Sequence, residues 1–575
     1  MEMNEELESL IRKFALKNAV EHEGKALASA ILSKLLGERP EFREKIREVM
    51  KIVEKVVREV NSLSLEEQEK ELERCAPELL VIRKVKEEKE LPELPQAEMG
   101  KVVTRLPPEP SGYMHIGHAM SGIINYLYAK KYEGKIWLRF EDTDPRKVRR
   151  EYYESFIRGY KWLGIKWDFE KYESQHLENY YKYAEKLILK HSAYVCNCPK
   201  EKISELRKLG KPCEHTKRSV EENLEEWNRM FSTYREGEAV LRLKGDMESK
   251  NYCMRDPVIF RIVEAEHPLV GKKYRIWPTY DFAVSLEDSF CGVTHVLRSA
   301  EFGSMRVELQ NYIRNLFGMK NPIIIQYSRF NFRGTPIQKR KIRELIKQGI
   351  IHSWDDPRLA TVDAIRRRGI VPEALRRFTI EVGITQAYHE YEWEMLYAVN
   401  RKVLDPITKR YFFVPNPIEL EVINAPRKEA ILRNHPNREL GVRKIETSGH
   451  FFISKDDLDL LRKQKVVRLK YLYNIKVEEI NGNKITATFV GEQLKREMLK
   501  IQWVTDENVP ALVLIPGPLF INHEINKESL QQVRGLCEKA CLELQEGDII
   551  QAERFGFLRL DKKENASLTF IFTHR

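Results

Sequence analysis

A chain of 575 residues is too long for one hydrophobic core, so its length predicts about three to five domains. Its hydrophobic content of 42% is ordinary for a soluble protein, and apolar runs such as residues 509–520 are too short to cross a bilayer. The net charge of +11 permits a polyanionic partner but also fits a heat-stable surface. The acidic first residues contain no apolar segment, so we expect a cytoplasmic protein without a signal peptide.

Residues 1 to about 83 are predicted to be helical. Apolar residues recur at steps of three and four between Ile46 and Val60, which indicates one face of an amphipathic helix. Ser64 followed by Glu67 is a capping-box pattern for the next helix. Charged residues and two prolines between residues 84 and 100 predict a linker.

Strand and helix alternate after this linker. Residues 102–106 are predicted to be a buried strand, and residues 107–112 a loop because they contain three prolines and a glycine. A helix to about Lys131 and a strand over residues 135–140 complete a βαβ unit, hence a parallel sheet. Ligands of such sheets bind at the carboxyl ends of the strands, which places Arg105, the loop and Glu141 on one rim.

The loop and the helix start have the sequence Pro-Pro-Glu-Pro-Ser-Gly-Tyr-Met-His-Ile-Gly-His over residues 107–118. We expect unpaired backbone N–H groups and the positive helix end to favour an anion here. His115 and His118 add hydrogen-bond donors for a phosphate, and Gly117 leaves room for an adenine ring. A bare H-x-G-H is equally an ordinary helix start, but the flanking Pro-x-Pro-Ser-Gly spacing favours a nucleotide site.

Residues 193–275 interrupt the alternation and predict an inserted subdomain, with a charged helical stretch over residues 201–234. Ligands of the types that bind zinc lie in it, namely Cys196, Cys198, Cys213 and His215. A structural zinc site is one interpretation; because C-x-C is tighter than the usual C-x-x-C, a reduced loop without metal is the other. The α/β pattern then resumes, with residues 276–284 opening a helix and a strand that ends at Arg298.

The last two fifths of the chain do not continue the alternation of strand and helix. Residues 339–397 are predicted to be mostly helical, with a basic run at residues 339–341. From about residue 403, short strands such as residues 410–414 and frequent turns predict one or two β-barrels. The dipeptide Asn481-Gly482 indicates a hairpin turn.

These motifs together resemble the class I aminoacyl-tRNA synthetases of the glutamyl/glutaminyl subgroup. Residues 107–118 are similar to the HIGH signature, and Leu-Arg-Phe-Glu-Asp-Thr-Asp-Pro at residues 138–145 is similar to the second signature of glutamyl enzymes. Glu141 and Asp144 stand where glutaminyl enzymes usually have Asp and Asn, which favours glutamate. The helical start and the β-rich end resemble the archaeal/eukaryotic branch.

The resemblance implies a multidomain fold of the α/β plus all-β class. Its Rossmann-like catalytic domain, with a parallel sheet, would span residues 98–192 and 276–332, with an acceptor-binding subdomain inserted at residues 193–275. The other expected parts are an N-terminal helical domain with its linker at residues 1–97, a lysine loop and helical connecting domain at 333–402, and anticodon-binding β-barrels at 403–575.

The resemblance also implies the residues of the site. Glutamate brings two carboxylates and one ammonium, so Arg105 and Arg298 would supply cations, Glu141 would bind the ammonium and Tyr280 would donate its hydroxyl. The lysine loop falls at residues 336–341, where Gln338 replaces the usual Ser before Lys339. The expected catalytic groups are His115, His118 and Lys339. The residues expected to bind ATP are Pro108, Glu109, Pro110, Ser111, Gly112, His115, Gly117, His118, Lys339 and Arg340.

The implied function uses ATP with Mg²⁺ to form glutamyl-adenylate from L-glutamate and transfers the glutamyl group to tRNA(Glu), with tRNA(Gln) as an open second acceptor. A monomer without membrane contact is expected. Three alternatives remain. They are a glutaminyl-tRNA synthetase, a small-molecule adenylyltransferase, which would not need the insertion or the β-rich end, and a tRNA-binding protein without activity, suggested by Gln338.

Overall fold

The computed structural model describes residues 2–21, 24–76, 90–300, 303–494, 498–565 and 567–575. The chain divides into two compact units, residues 1–89 and residues 90–575. Residues 77–89, which include the end of the predicted helical stretch and the start of the predicted linker, lie outside the described residues. Among the described helices, none is both long enough and apolar enough to cross a membrane.

The first unit is helical, as predicted. Its helices are Glu2–Glu21, Ala28–Glu38, Ile46–Ser62 and Leu65–Cys75. The third helix buries a stripe of valines at steps of three and four, namely Val49, Val53, Val56, Val57 and Val60. Ile46 belongs to the predicted stripe but is 43% exposed, because it is the first residue of the helix. Ser64 and Glu67 form the predicted capping box at the start of the fourth helix.

The second unit begins with the predicted βαβ unit. Val103–Leu106 pairs in parallel with Lys135–Phe140, which pairs in parallel with Phe169–Tyr172. His295–Ser299 and Ile323–Tyr327 form a second parallel pair, and Thr294 N–H donates to the carbonyl of Val103 at 3.0 Å. The helices of this region are Ile116–Lys131, Arg150–Trp162, Leu177–Leu189, Tyr280–Phe290 and Gly303–Leu316.

The inserted region is built on an antiparallel sheet of four strands: Ala193–Cys196, Val240–Leu243, Val258–Ile262 and Ile276–Pro278. The last strand corrects the prediction that residues 276–284 open a helix, because Ile276–Pro278 pairs with Val258–Ile262 and the helix begins at Tyr280. The charged stretch over residues 201–234 contains two helices, Lys200–Leu209 and Val220–Ser232, with Cys213 and His215 between them.

A helical region connects this part to the β-rich end. Its helices are Lys339–Lys347, Val362–Arg367, Pro372–Val382 and Trp393–Leu404, and a two-stranded pair is formed by Asn331–Phe332 and Glu390–Tyr391.

The first sheet of the C-terminal part has seven strands: Arg410–Tyr411, Phe413–Pro415, Asn508–Pro516, Leu530–Glu538, Ile549–Ala552, Gly556–Glu564 and Ser567–His574. Arg410–Tyr411 and Phe413–Pro415 lie at opposite ends of its hydrogen-bonded order, yet only Phe412 separates them in the chain. The two ends of the sheet therefore meet, as in a barrel. The single strand predicted over residues 410–414 is wrong for this reason, since the chain crosses between the edges at Phe412.

The second sheet has six strands: Pro417–Ile423, His450–Ser454, Val466–Leu469, Asn474–Asn481, Lys484–Gly491 and Lys500–Ile501. Phe452 and Val504 close it, each donating its N–H to the other's carbonyl at 2.8 and 3.0 Å. The predicted hairpin turn is present, with Gly482 at φ 58° between two antiparallel strands. Two short ribbons complete the region, Lys428–Arg433 with Val442–Thr447 and Phe520–Ile521 with Glu524–Ile525. The β-barrel prediction is confirmed.

Candidate active site

A cavity of about 800 Å³ opens at the carboxyl ends of the parallel strands, on the rim that the βαβ unit predicted. The predicted site residues that line it are Arg105, Pro108, Glu109, His115, Gly117, His118, Glu141, Tyr280, Arg298 and Lys339. Residues more than 200 positions apart in sequence therefore share one wall, as ATP and an amino acid that react together would require.

The two histidines form a stacked pair at the start of the helix Ile116–Lys131. His115 is the N-cap residue rather than part of the first turn, and its Nδ1 accepts the N–H of Gly117 at 3.2 Å. The Nδ1 of His118 accepts the N–H of His115 at 3.3 Å, and the ring centroids are 3.7 Å apart. Because a ring nitrogen that accepts a hydrogen bond carries no proton, each neutral ring has its proton on Nε2.

The helix start corrects one expectation about anion binding. We expected unpaired backbone N–H groups, but the N–H of Ile116 donates to the carbonyl of Ala360 at 2.8 Å, and that of Gly117 is taken by His115. The imidazole Nε2–H groups are therefore the main donors that this helix end offers to a phosphate. Gly117 also leaves space for the imidazole ring of His115, since a Cβ there would lie 3.1 Å from Cε1 of that ring.

Both histidines are held neutral by their surroundings. Burial lowers the pKa of His115 to about 3, with Lys339 and Arg329 contributing in the same direction. Burial also lowers the pKa of His118 well below its ordinary value, followed by the effects of His115 and Lys339. The pair can therefore donate hydrogen bonds at neutral pH without adding net charge.

Lys339 folds over the proline-rich loop. Its Nζ contacts Ser111 Oγ and lies 3.9 Å from Glu109 Oε2. A Cβ on Gly112 would lie 2.6 Å from Cδ of Lys339, so a larger residue there would displace the lysine stem. Burial lowers the pKa of Lys339, and Glu109 opposes that effect.

Four predicted ATP-binding residues do not lie on the cavity wall. Ser111 and Gly112 lie beneath the Lys339 side chain, and Pro110 is buried in the same loop. Arg340 is exposed on the helix Lys339–Lys347, outside the cavity. The lysine loop implied by the resemblance predicts Arg340 at the ATP site, but successive residues of a helix face different directions.

The end of the cavity where the amino-acid residues were predicted contains both signs of charge. Arg105 is 1% exposed and donates from Nε to Asp288 at 3.2 Å, and Arg298 donates from Nη1 to Gln310 at 3.0 Å. Glu141 accepts from Arg139 at 2.9 Å, and burial raises its pKa against the opposing effects of Arg139 and Arg105.

Tyr280 completes this end of the cavity. It is the first residue of the helix Tyr280–Phe290, and it lines the wall together with Arg298. Burial raises the pKa of its hydroxyl, and the charge of Glu141 adds to that effect. The hydroxyl is therefore a neutral hydrogen-bond donor at neutral pH.

Some residues of the cavity lie outside the motifs that the sequence offers. Lys147 lines it and lies 3.4 Å from Glu109 Oε1, and Arg261 of the inserted sheet reaches Asp144 at 3.0 Å. The signal for Lys147 was its place directly after a strand-end motif on the rim. No sequence motif indicates Arg261. It reaches the cavity because the sheet of the inserted region carries it there.

The four predicted metal ligands come together in the inserted region. The ligand atoms of Cys196, Cys198, Cys213 and His215 all lie within 4.8 Å of one another. Cys196 Sγ is 3.9 Å from Cys213 Sγ, and Cys198 Sγ is 3.3 Å from His215 Nδ1. A tetrahedral zinc ion would separate two sulfurs by about 3.8 Å and a sulfur from a nitrogen by about 3.6 Å, so the cluster fits zinc.

Comparisons with known proteins cover almost the whole chain. Residues 101–406 match the catalytic domain of tRNA synthetases class I (E and Q), and residues 408–491 and 500–561 match anti-codon binding domains of the same group. The glutamate–tRNA ligase of Nitrosopumilus maritimus is 44% identical over 575 residues, covering 100% of both chains. That of Pyrococcus furiosus is 44% identical over 584 residues, covering 99% of this chain and 100% of the relative.

Among solved structures, a glutamate tRNA ligase from Elizabethkingia meningosepticum has a TM-score of 0.40 and 21% identity, covering 53% of this chain and 69% of that one. The catalytic-domain match alone includes more than half of the residues, and the curated relatives match from end to end. The chain belongs to the class I tRNA synthetases of the E and Q group.

Proposed function

We propose that this chain is a glutamate–tRNA ligase of the archaeal type, which activates L-glutamate with ATP and transfers it to the 3′-terminal adenosine of tRNA(Glu). The observation that carries the proposal is the charge pattern of a single cavity. Among the charged residues of the cavity, Arg105 and Arg298 supply two cations and Glu141 one anion, which match the two carboxylates and the ammonium of glutamate. The curated relatives of similar length are named glutamate–tRNA ligases, in agreement with this pattern.

Activation needs no nucleophile from the protein. An α-carboxylate oxygen of glutamate attacks the α-phosphorus of ATP, the bond to the bridging oxygen of the β-phosphate breaks, and pyrophosphate leaves. The Nε2–H groups of His115 and His118 donate to phosphate oxygens, and Lys339 neutralises charge on the leaving pyrophosphate. ATP enters as its Mg²⁺ complex, in which the metal neutralises phosphate charge. The terminal ribose hydroxyl of the tRNA then attacks the glutamyl carbonyl and AMP leaves.

The pocket residues hold the amino acid during both steps. Arg105 and Arg298 bind its carboxylates, Glu141 binds its ammonium, and the hydroxyl of Tyr280 donates to a substrate oxygen. Pro108, Glu109 and Gly117 line the ATP end of the same cavity.

Each region has a proposed part in tRNA recognition. Residues 193–275 hold the acceptor end beside the cavity, and the barrels of residues 403–575 bind the anticodon, where bases are unstacked and accessible. A structural zinc ion held by Cys196, Cys198, Cys213 and His215 would hold together the segments of the inserted region that carry these four ligands. Residues 98–192 and 276–332 form the catalytic domain, apart from the strand Ile276–Pro278, which belongs to the sheet of the inserted region. Residues 333–402 connect it to the barrels, and residues 1–97 form the N-terminal helical domain with its linker. The enzyme acts as a monomer.

A charging assay tests the function and separates it from its nearest rivals. Purified tRNA(Glu) and tRNA(Gln) would each be incubated with ATP and labelled glutamate or glutamine. Glutamate on tRNA(Glu) is the expected result, and glutamate on tRNA(Gln) as well would mark a non-discriminating enzyme. Charging with glutamine would assign the chain to the glutaminyl enzymes. Tight tRNA binding without any charging would contradict the proposed activity and favour the inactive tRNA-binding alternative.

A further inference from the structure

A buried group of charged side chains lies beneath the amino-acid end of the cavity. Its centre is Asp288, which is 2% exposed on the helix Tyr280–Phe290. Three guanidinium groups donate to its carboxylate: Arg139 Nη1 at 2.8 Å, Arg105 Nε at 3.2 Å and Arg314 Nη2 at 3.2 Å. Burial raises the pKa of Asp288, but the three arginines outweigh it and hold the pKa at about 2, so the carboxylate is ionised at neutral pH.

The first route from Asp288 to the cavity runs through Arg105. This arginine lines the cavity, and its Nε is fixed by Asp288. Its Nη1 is buried and has no hydrogen-bond partner within the described part of the chain. A buried donor without an acceptor is costly unless a ligand satisfies it, which makes this N–H available to a substrate oxygen.

The second route runs through Arg139. The guanidinium of Arg139 contacts three carboxylates. Nη1 donates to Asp288, Nη2 donates to Glu141 at 2.9 Å, and Nε lies 3.3 Å from Glu173 Oε1. Glu141 lines the cavity, whereas Arg139 has no exposed surface and lies behind it. Asp288 therefore acts on the anion of the pocket as well as on one of its cations.

The third partner leads away from the cavity. Arg314 donates from Nε to the carbonyl of Ser285 at 3.1 Å and from Nη1 to Asn311 at 3.0 Å. It is as deeply buried as the other two arginines but does not line the cavity. It shares the Asp288 carboxylate and, within the described residues, makes no hydrogen bond to a residue that lines the cavity, which makes it a matched control.

We propose that Asp288 is a positioning residue for the amino-acid substrate. Through Arg105 it fixes a cation for a substrate carboxylate, and through Arg139 it fixes the Glu141 anion for the substrate ammonium. The carboxylate of Asp288 thus positions both Arg105, which binds a substrate carboxylate, and Glu141, which binds the substrate ammonium. The inference rests on the proposed function, because it assigns glutamate to this end of the cavity.

The variant Asp288→Asn tests the proposal. An amide keeps one accepting oxygen but places an NH₂ group against a guanidinium, so at least one arginine loses its acceptor. In steady-state charging of tRNA(Glu), the KM for glutamate should rise by roughly 10- to 100-fold, the range expected for a lost charge-assisted hydrogen bond. The KM for ATP and for tRNA should stay within about 3-fold, since their sites do not depend on this carboxylate.

The control variant Arg314→Met removes the partner that leads away from the cavity. It should lower thermal stability but leave the KM for glutamate within about 3-fold of the wild type. A rise as large as that of Asp288→Asn would mean that any disturbance of the buried charges affects the pocket, which would overturn the proposal. The proposal would also fail if Asp288→Asn left the KM for glutamate unchanged.

A double-mutant cycle with Arg105→Lys provides a second readout. If Asp288 acts through Arg105, adding Asp288→Asn to the Arg105→Lys enzyme should raise the KM for glutamate less than it does in the wild type. Full additivity would contradict this route. If Asp288→Asn does not fold, Arg139→Lys carries the test, because it keeps the charge but cannot bridge Asp288 and Glu141. A wild-type enzyme that fails to charge glutamate would refute the proposed function instead.

Discussion

The imidazole rings of His115 and His118 stack with their centroids 3.7 Å apart, and the Nδ1 of each ring accepts a backbone N–H. This arrangement leaves Nε2–H as the donor of both rings. A proton on Nδ1 of either ring would break its backbone hydrogen bond and place a charge beside the other ring. The histidine pair therefore offers two neutral hydrogen-bond donors, which suits the phosphate binding that we propose, with Lys339 as the source of positive charge.

The neutral state of His115 predicts how stability depends on pH. Its folded pKa of about 3 lies below the unfolded value of about 6.5. As the pH falls below about 6.5, the unfolded chain takes up the proton first, so stability is lost progressively down to about pH 3. The variant His115→Asn keeps an oxygen that can cap the helix but does not titrate. Between about pH 7 and pH 5, the wild type should lose about 2 kcal/mol more unfolding free energy than this variant.

Urea unfolding at the two pH values measures this difference directly. Titrating groups that do not interact with His115 contribute equally to both proteins and cancel in the comparison. Equal losses in the wild type and in His115→Asn would mean that His115 binds a proton as readily in the folded protein as in the unfolded chain.

Lys339 and Lys341 belong to the same basic run but should differ in effect. Lys339 lines the cavity, whereas the Nζ of Lys341 lies 3.8 Å from the ring centroid of Phe520. Lys339→Ala should lower the rate of glutamate-dependent ATP–pyrophosphate exchange by about 100-fold, because it removes a cation from a preorganised site. Lys341→Ala should keep the rate within about 3-fold and lose only about 0.5–1 kcal/mol of a cation–π contact. The reverse order of the two rates would exclude Lys339 as the catalytic cation.

Gln338 stands at the N-cap of the helix Lys339–Lys347 and makes no capping hydrogen bond with its side chain. Its φ of −71° and ψ of 119° suit a capping residue. Gln338→Ser should therefore stabilise this helix by about 1 kcal/mol and slow hydrogen–deuterium exchange of its amides by about 5-fold. Gln338→Ala is the control, since alanine offers no capping oxygen. Equal amide exchange rates in Gln338→Ser and Gln338→Ala would show that a side-chain cap at this position does not stabilise the helix.

Removal of the proposed zinc should raise the KM for tRNA more than the KM for glutamate. Elemental analysis should find about one zinc per chain in the wild type and almost none in Cys213→Ser. Because the cluster lies in the inserted region, the variant should raise the KM for tRNA while the KM for glutamate changes little. Cys253→Ser, in the same region but outside the cluster, should keep its zinc. A wild-type protein without zinc would support the metal-free loop.

Local patterns in the sequence were sufficient for the elements that form the rim. The strand Lys135–Phe140 and the helix Ile116–Lys131 were predicted with these bounds or nearly so, because alternation and the prolines of residues 107–112 act over a few positions. The hairpin at Gly482 was recognised for the same reason, since a positive φ is a local requirement.

The features that were missed depend on contacts between distant parts of the chain. Arg139 and Asp288 are 149 residues apart, and each alone is an unremarkable charged residue. The N–H of Ile116 is satisfied by Ala360, which no local pattern connects to the histidine motif. The strand Ile276–Pro278 also depends on a partner in the inserted region, and without that partner its residues continue the pattern of the following helix.

The most direct test of the site is glutamate-dependent ATP–pyrophosphate exchange by the wild type and by His118→Ala, with tRNA(Glu) present. The variant loses one of the two neutral phosphate donors, so its exchange rate should fall by at least about 100-fold, while its affinity for tRNA stays within about 2-fold. Exchange at the wild-type rate with unchanged tRNA binding would contradict the assignment of adenylate formation to the histidine pair.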